Sequence, residues 1–383
     1  ASFMHVQYPG EQLYYGKTVF ENSPLNRVEK TFAPGNSWAG SEGSTSEKAV
    51  TFKYLINTID DAVRIWTINF DPVSYDGSNN MVNANIPTSP VSPVNKIYNA
   101  GELYKNVTLD ESGSAVVEYK DKEGQVILKK VQVGSIAADY SGHGGFLCTY
   151  YVYDDLNRLR FVIPPKAVQA INSTWSLPAD VVNELCFRYE YDERGRMIAK
   201  KVPGAGWAYM VYDKRDRLVF TQDANMRVKN QWLTTLYDAL NRPVATGMIT
   251  YSSNRDALQS HVNSVTGNGT VGTATAASPI AFDLISANRE WGKTLYQARN
   301  TIEFLPGFES ETAASFTAEI VNPPATSESM TVVDNTLTTQ MNFVALTLTY
   351  YDNYNWRGSG KAYSTTDNAK LTTGGNLHAE TLP

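Results

Sequence analysis

The stretch Leu185-Cys-Phe-Arg-Tyr-Glu-Tyr-Asp-Glu-Arg-Gly-Arg-Met197 decides the fold that this sequence predicts. In its first half, one face carries Leu185, Phe187, Tyr189 and Tyr191, and the other carries Cys186, Arg188, Glu190 and Asp192. This period of two is typical of a half-buried β-strand. Its second half predicts a tight reversal, because the residue before Arg196 is a glycine, which adopts positive φ readily. The stretch therefore predicts a β-hairpin.

The same short pattern occurs four times: Tyr-Asp, two spacer residues, then Asn, Gly or Asp, then Arg. The copies are Tyr153-Asp154 with Asn157-Arg158, Tyr191-Asp192 with Gly195-Arg196, Tyr212-Asp213 with Asp216-Arg217, and Tyr237-Asp238 with Asn241-Arg242. An internal repeat is typical of a repeated structural unit. We therefore expect a mainly β fold of stacked antiparallel β-hairpins, forming part of a curved or spiralling sheet or shell with a few short helices.

The chemistry of the turn explains each position of the repeat. A hairpin connection of three to five residues commonly contains a type I turn followed by a residue with positive φ, and Asn, Gly and Asp tolerate that conformation. The Asp can accept backbone N–H bonds, and the Arg then meets its carboxylate. An exposed pair of this kind contributes only about 0.2–1 kcal/mol. We therefore interpret the repeat residues as structural, with the tyrosines packing between successive hairpins, and not as catalytic acids or nucleophiles.

Composition limits the classes of protein that the chain can belong to. Its 383 residues are 42% hydrophobic and 19% charged, which is typical of a folded protein. The net charge of −6, without any dense basic run, argues against nucleic acid as a partner. The sequence contains no run of 18 apolar residues, so it does not predict a membrane-spanning segment.

Three segments differ in character. Residues 1–145 form a β-rich segment before the repeats, residues 146–251 hold the repeat hairpins, and residues 252–383 return to β-hairpins with a Thr/Ala/Gly-rich loop at 264–278. Short helices are expected at 165–171, 178–184 and 254–262, and strands at 50–56 and 63–70 are expected to pair through a turn at Asp60-Asp61.

Cys148 and Cys186 are the only cysteines, and each lies five residues before a repeat tyrosine. Equivalent positions in stacked hairpins are about 9–10 Å apart, because strands are spaced by about 4.8 Å. A disulfide needs Cα atoms closer than about 7 Å. We therefore expect two free thiols. The four histidines have no spacing suited to zinc, and no cofactor motif is present, so no metal or cofactor is expected.

The repeats resemble the YD repeat of RHS-type proteins, in the version found in Bacteroidota. The resemblance covers residues 147–165 and 185–197 and continues to the copy at 237–243. Phe20-Glu-Asn-Ser-Pro-Leu-Asn-Arg-Val28 is similar to the segment that precedes the repeats in that group, and Ile302-Glu-Phe-Leu-Pro-Gly-Phe308 is similar to a β element of secreted Bacteroidota proteins.

For this family, the resemblance implies a β-hairpin shell within a very large secreted or cell-surface protein. Such shells enclose a variable C-terminal domain, often a toxin, and export would use type IX secretion. Residues 70–77 contain an Asp-Pro but do not match the family's autoproteolytic motif. The expected partners are the rest of a longer polypeptide, an enclosed C-terminal domain, secretion machinery or cell-surface glycans.

Two other functions stay open. An adhesin or glycan-binding module would use exposed aromatic side chains, and the candidates are Trp38, Trp66, Trp175, Trp207, Trp232, Trp291 and Trp356. A carbohydrate-active enzyme is a more distant alternative, because no pair of carboxylates stands out as acid and base. The main expectation is a structural segment without catalysis.

Overall fold

The chain divides into two compact units, Ala1–Ala208 and Tyr209–Pro383, in the computed structural model. The structure describes residues 2–44, 46–69, 72–82, 85–89, 96–265, 271–276, 283–289, 293–309, 315–321, 327–331, 341, 343–349 and 351. The boundary between the units falls within the repeat array, between its second and third copies. The three-segment division by sequence character stays a prediction.

The first unit is built on an antiparallel sheet in which each described strand pairs with its neighbours in sequence. Its strands are β1 (Lys17–Phe20), β2 (Val28–Phe32), β3 (Ala49–Ile56), β4 (Tyr104–Leu109), β5 (Ala115–Lys120), β6 (Val126–Gln132), β7 (Phe146–Tyr153), β8 (Leu159–Ile163), β9 (Phe187–Tyr191) and β10 (Met197–Lys201). Its helices are α1 (Ser2–Gln7), α2 (Asn36–Ala39), α3 (Pro165–Ile171) and α4 (Ala179–Leu185), with a 3-10 turn at Ile59–Asp61.

The core of the first unit lies on one face of this sheet. Val117, Leu128 and Phe161 are fully buried there, and α3 and α4 supply further apolar side chains such as Ile171 and Val182. Full burial of one large apolar side chain contributes about 1.5–3 kcal/mol. The two short helices between β8 and β9 therefore act as a cover for the core.

The second unit has a sheet in which β14 is followed in space by a strand from about a hundred residues later in the sequence. The order from β11 to β14 is sequential; β14 then pairs with β21, and β15 pairs with both β21 and β20. These strands are β11 (Ala208–Tyr212), β12 (Leu218–Gln222), β13 (Gln231–Tyr237), β14 (Pro243–Thr250), β15 (Val271–Ala276), β20 (Ser327–Thr331) and β21 (Val344–Leu348).

Two short parallel pairs form a separate element of the second unit. They are β16 (Asp283–Ser286) with β18 (Thr301–Phe304), and β17 (Leu295–Ala298) with β19 (Thr317–Ile320). Tyr296, Phe304, Phe308 and Phe316 pack together there, with ring centroids 4.3–5.6 Å apart. The helices of this unit are α5 (Ala224–Val228) and α6 (Arg255–Ser264).

The mainly β fold of stacked antiparallel hairpins is confirmed. The three expected helices are present as α3, α4 and α6, and Asn254 caps α6 by accepting a bond of 2.9 Å from the N–H of Ala257. Cys148 and Cys186 are free and buried, which confirms the expected thiols.

The expected hairpin between residues 50–56 and 63–70 is wrong. Strand β3 pairs with β2 and β4 instead, and Asp61 belongs to a 3-10 turn rather than to a hairpin turn. The segment after it makes only isolated bridges, such as Arg64 with Ile97 and Thr67 with Thr88. The β-rich composition of this segment reflects its packing over the core, where Val63 and Trp66 are buried; residues 70 and 71 lie outside the described residues.

The segment 264–278 was expected to be a loop, but β15 occupies Val271–Ala276. Its alternating Val271, Thr273 and Thr275 are β-branched, and such residues favour strands. The loop was expected from the Gly, Ala and Thr content of the segment, and this alternation was not considered. Residues 266–270 and 277–278 lie outside the described residues.

Substitution of Gly145 tests the entry into β7. Gly145 has a φ of +76°, and a Cβ there would lie 2.1 Å from the backbone oxygen of Ser135. We expect Gly145→Ala to lower the free energy of unfolding by more than about 1–3 kcal/mol, the usual cost of the left-handed conformation alone. The measurement is urea denaturation. Gly144→Ala is the matched control, because a Cβ at Gly144 meets nothing within 4 Å; equal losses for the two variants would contradict this account.

Candidate functional site

Each repeat turn has the same backbone hydrogen bonds. In the first copy the N–H of Asp154 donates to the carbonyl of Arg158 at 3.0 Å, and the N–H of Asn157 donates to the carbonyl of Asp154 at 2.9 Å. The other three copies repeat both bonds at 3.0–3.1 Å. The φ angles of Asn157, Gly195, Asp216 and Asn241 are 60°, 76°, 62° and 62°. The connection is thus a type I turn followed by a left-handed residue.

The aspartate carboxylate holds each turn closed. Asp154 Oδ1 accepts from the N–H of Leu156 at 3.1 Å and of Arg158 at 3.0 Å, while Oδ2 accepts from Arg158 Nε at 2.8 Å. The other three copies repeat these contacts, with distances of 2.6–3.0 Å. Both oxygens of each carboxylate are therefore occupied by the turn itself.

The turn contacts lower the pKa of three of these carboxylates. Burial acts to raise the pKa of Asp154, Asp192 and Asp238, but hydrogen bonds from the arginine of the same turn outweigh it, so each pKa lies below its ordinary value. The pairs are also more shielded from water than the sequence suggested. In the third copy the Arg217 and Asp213 side chains are only 9% and 2% exposed.

The same turn occurs without the arginine at three further aspartates. Asp76, Asp110 and Asp121 each accept, through Oδ1, the backbone N–H of the residue four positions later, at 2.8 Å in all three. Their left-handed residues are Asn79, Gly113 and Gly124. The repeat pattern did not include these turns because it required an arginine; an Asp followed three residues later by Gly or Asn would have grouped them with the repeat.

The first hairpin carries an enlarged version of the turn. The N–H of Glu21 donates to the carbonyl of Arg27 at 2.8 Å, and Asn26 before it has a φ of 49°. Arg27 holds the Glu21 carboxylate with Nε at 2.9 Å and Nη2 at 2.8 Å. The Arg27 hydrogen bond lowers the pKa of Glu21 to about 2. A longer side chain thus spans a longer turn with the same pairing.

The arginines also connect each turn to the neighbouring strand. The guanidinium of Arg158 lies 5.3 Å from the ring centroid of Tyr191, and the Tyr191 hydroxyl donates to the carbonyl of Leu159 at 3.0 Å. Arg217 lies 4.7 Å from Tyr237, whose hydroxyl donates to the carbonyl of Leu218 at 2.8 Å. In both cases the acceptor is the residue directly after the arginine. We call this pair of contacts the Arg–Tyr link.

Two more Arg–Tyr links use tyrosines that lie outside the predicted array. Arg27 lies 4.4 Å from the Tyr54 ring, and the Tyr54 hydroxyl donates to the carbonyl of Val28 at 3.0 Å. Arg242 lies 4.4 Å from the Tyr351 ring, and the Tyr351 hydroxyl donates to the carbonyl of Pro243 at 3.2 Å.

Tyr351 therefore occupies the position of a repeat tyrosine. In the sequence it is followed directly by Asp352, which makes a further Tyr-Asp pair, although residues after 351 lie outside the described residues. The sequence search missed it because no arginine stands four residues after Asp352. The signal is visible only once β21 is known to lie beside β14.

Asp61 centres a buried polar cluster in the first unit. Its Oδ1 accepts from Lys105 Nζ at 2.6 Å and from the Tyr119 hydroxyl at 2.7 Å, and its Oδ2 accepts from the N–H of Thr58 at 2.7 Å. Burial raises the pKa of Tyr119, and the bond to Asp61 adds to this effect. Asp61 has 0% of its surface exposed. A substrate cannot reach this carboxylate in the structure, so the cluster fits a structural role that fastens the 3-10 turn to the sheet.

Lys130 and His143 extend the buried polar region. Lys130 Nζ donates to the carbonyls of Tyr140 and Gly142 at 2.6 and 2.8 Å, and burial lowers its pKa to about 8. His143 Nε2 lies 2.8 Å from the Tyr150 hydroxyl, and burial lowers the pKa of His143 to about 4. His143 is therefore neutral at physiological pH.

A second buried group joins the first repeat turn to β9. Arg160 is 1% exposed, pairs with Glu190 and donates from Nε to the carbonyl of Tyr189 at 3.0 Å. Its Nη1 also lies 3.4 Å from Asp154 Oδ2. Burial raises the pKa of Glu190, although Arg160 opposes this effect. The charged face of β9 is thus the buried one, and its tyrosines lie on the half-exposed face.

The candidate glycan-binding tryptophans do not form one exposed surface. Trp207 and Trp232 are buried, and Trp38 is 67% exposed. Trp66 and Trp175 lie together in the first unit, with ring centroids 6.5 Å apart. Trp291 and Trp356 lie outside the described residues.

The described residues contain no group of three or more His, Cys, Asp or Glu placed to hold a metal ion. Among the helices of the described part of the chain, none has the length and apolar character needed to cross a membrane.

Comparisons with known proteins give one match to a family model and several to solved structures. A domain of unknown function (DUF6443) matches residues 1–52. No curated protein matches the chain. A crystal structure of TcdB2-TccC3-TEV is similar with a TM-score of 0.31 and 13% identity, over 65% of this chain and 12% of that chain.

Two other solved structures have comparable values. A crystal structure of TcdB2-TccC3 has a TM-score of 0.31 and 14% identity, over 65% of this chain and 12% of that chain. A Photorhabdus luminescens Tc holotoxin pore with a mutation in TccC3 has a TM-score of 0.30 and 11% identity, over 64% of this chain and 13% of that chain. This chain thus spans about an eighth of the length of these chains.

Tyr191→Phe tests the Arg–Tyr link. It removes the hydroxyl that donates to Leu159 and keeps the ring under Arg158, so we expect the free energy of unfolding to fall by about 0.5–1.5 kcal/mol. The measurement is chemical denaturation of the whole chain. Tyr189→Phe, two residues earlier on the same face of β9, is the matched control and should change stability little. If both variants have the same free energy of unfolding as the wild type, the hydroxyl contact of the link does not contribute to stability.

His143 predicts a pH dependence of stability. Its pKa is about 4 in the fold, below the ordinary value of about 6.5. Between these values the unfolded chain binds a proton at this residue and the folded chain does not, so stability falls as the pH falls from about 6.5 to about 4. We expect His143→Gln to lose less stability over this range in urea titrations. Gly144→Ala, which removes no titratable group, should keep the pH dependence of the wild type, and an unchanged profile for His143→Gln would refute the assignment.

Proposed function

We propose that this chain is a non-catalytic structural segment of a larger RHS-type YD-repeat protein. Its hairpins would form part of the wall of a β-shell that encloses a C-terminal, toxin-like domain. We further propose that the parent protein is secreted or displayed at the cell surface in a member of the Bacteroidota, with export by type IX secretion. The observation that carries this proposal is the Arg–Tyr link, which recurs at four hairpin junctions.

The recurring link supports a wall because it acts between hairpins and not within them. At each of the four links an arginine closes its own hairpin turn against a carboxylate and also contacts the tyrosine of the adjoining strand, as Arg158 does with Asp154 and Tyr191. A cation–π contact contributes about 0.5–1 kcal/mol at exposed sites and more when it is shielded from water. The free-energy contribution of one junction is small, but many such junctions together would stiffen the sheet.

The occupied carboxylates favour a role without catalysis. A general acid or nucleophile needs an oxygen that can approach a substrate. The repeat aspartates commit both oxygens to their own turns, as Asp192 does with Arg194 and Arg196. Asp61 is occupied in the same way and is fully buried. On this proposal the partners are the rest of the parent polypeptide and its enclosed domain, with secretion machinery during export.

The parent protein tests this proposal directly. Antibodies raised against the purified chain should detect, in the producing cells or their medium, a polypeptide far heavier than 42.4 kDa. Limited proteolysis of that polypeptide should leave its C-terminal domain protected. Tyr191→Phe combined with Tyr237→Phe should make the C-terminal domain more accessible to protease, whereas Tyr189→Phe should not.

Three results would contradict the proposal. A native mass of about 42.4 kDa would show that the chain is not part of a larger protein. If protease cleaved the C-terminal domain as fast in the native wild type as after denaturation, the domain would not be enclosed. If the protein had a hydrolytic activity that Asp154→Ala and Asp192→Ala abolished without changing the fold, the repeat aspartates would be catalytic.

A further inference from the structure

A cavity of about 370 Å3 lies in the first unit, away from the repeat turns. Its walls come from the segment after the 3-10 turn, with Arg64 and Trp66, from residues 86–89, and from the connection between α3 and α4, with Trp175. Its volume is within the range of about 300–1,000 Å3 that small-molecule sites occupy. None of the Arg–Tyr links uses these residues.

Three hydrogen-bond donors in the cavity wall are buried without a partner. They are Arg64 Nε, Trp66 Nε1 and Ser89 Oγ. Trp66 is 9% exposed, so its indole N–H has little access to bulk water. Buried donors are nearly always paired, and an unpaired one is costly. Three of them around one cavity indicate a ligand that supplies acceptor oxygens.

The charge of the wall indicates a negatively charged ligand. Arg64 and Lys96 both line the cavity, and none of the described lining residues is acidic. Within the described part of the chain, neither cation has a carboxylate partner. The guanidinium of Arg64 lies 4.7 Å from the Trp175 ring and stacks on it, which holds the charge at the wall.

The remaining wall resembles that of a sugar site in its chemistry. Trp66 and Trp175 both line the cavity, with ring centroids 6.5 Å apart and ring planes inclined at 57°, so the wall includes two aromatic rings. Hydroxyl side chains line the rest, namely Thr88, Ser89, Ser173, Thr174 and Ser176. Trp175 itself is held in the left-handed conformation, with a φ of 53°. Such a residue is strained, and strain of this kind clusters at binding sites.

We propose that this cavity binds a saccharide that carries a carboxylate, such as a uronic acid residue. The carboxylate lies between the Arg64 guanidinium and the Lys96 ammonium, the unpaired donors bind ring and hydroxyl oxygens, and the tryptophans pack on the C–H face of the sugar. A simple inorganic anion would leave the tryptophans and hydroxyls without a role. The site does not depend on the structural function proposed above.

The experiment uses the whole chain labelled with 15N on its tryptophan indoles. Glucuronate should shift the indole N–H resonance of Trp66, assigned with Trp66→Phe, and calorimetry should give its affinity. Glucose, acetate and inorganic phosphate at the same concentration should bind on the order of tenfold more weakly or not at all, since each lacks either the charge or the sugar ring.

Two lysine variants distinguish binding in the cavity from nonspecific electrostatic attraction. Lys96→Gln should weaken glucuronate binding on the order of tenfold, while Lys166→Gln, at an exposed lysine of α3 outside the cavity, should bind like the wild type. Arg64→Gln should abolish binding, and Lys96→Gln decides the matter if Arg64→Gln does not fold. Equal binding of acetate or phosphate and glucuronate, no shift at Trp66, or equal affinities for the two lysine variants would each overturn the proposal.

Discussion

The hydrogen bonds from two backbone N–H groups to one aspartate oxygen are the interaction on which the hairpins depend. Asp154 Oδ1 accepts from positions two and four residues later, which places Asn157 in the left-handed conformation and fixes where the second strand begins. The register shift at the end of each hairpin follows from that extra residue. Once the turn is set, the arginine also reaches the neighbouring strand, as Arg158 does with Tyr191 and Arg217 with Tyr237, so a local interaction contributes to how successive hairpins join.

The buried face of the first sheet has an unusual composition, and it explains the long connections around it. Lys105, Lys130 and Arg160 lie on that face with almost no exposure. A buried charge is tolerated only when it is paired or hydrogen-bonded. The partners of the two lysines come from outside the sheet: Asp61 belongs to the connection after β3, and the carbonyls of Tyr140 and Gly142 belong to the connection after β6. Arg160 instead pairs with Glu190 of β9. The connections after β3 and β6 are thus parts of the core.

The second unit shows that the array tolerates an insertion. Between β14 and β21 the described chain makes α6, β15, two parallel pairs and β20, and β21 then returns to the position that the next repeat strand would take. Tyr351 meets Arg242 there with the geometry that Tyr237 has with Arg217. Antiparallel pairing makes this possible, because an edge strand accepts any later strand that presents the correct register.

The sequence by itself determined the repeat turns, the mainly β fold and the three helices, because these depend on residues close together in the chain. The free thiols followed from the strand spacing that the repeat implies. Only the tertiary structure decided which face of β9 is buried, that residues 63–69 pack over the core without pairing as a strand, and that Tyr54 and Tyr351 belong to the same system of links. Arg188 and Glu190 face inward because distant segments satisfy or cover them. Local periodicity identifies two faces, but the partners that make one face buried come from elsewhere in the chain.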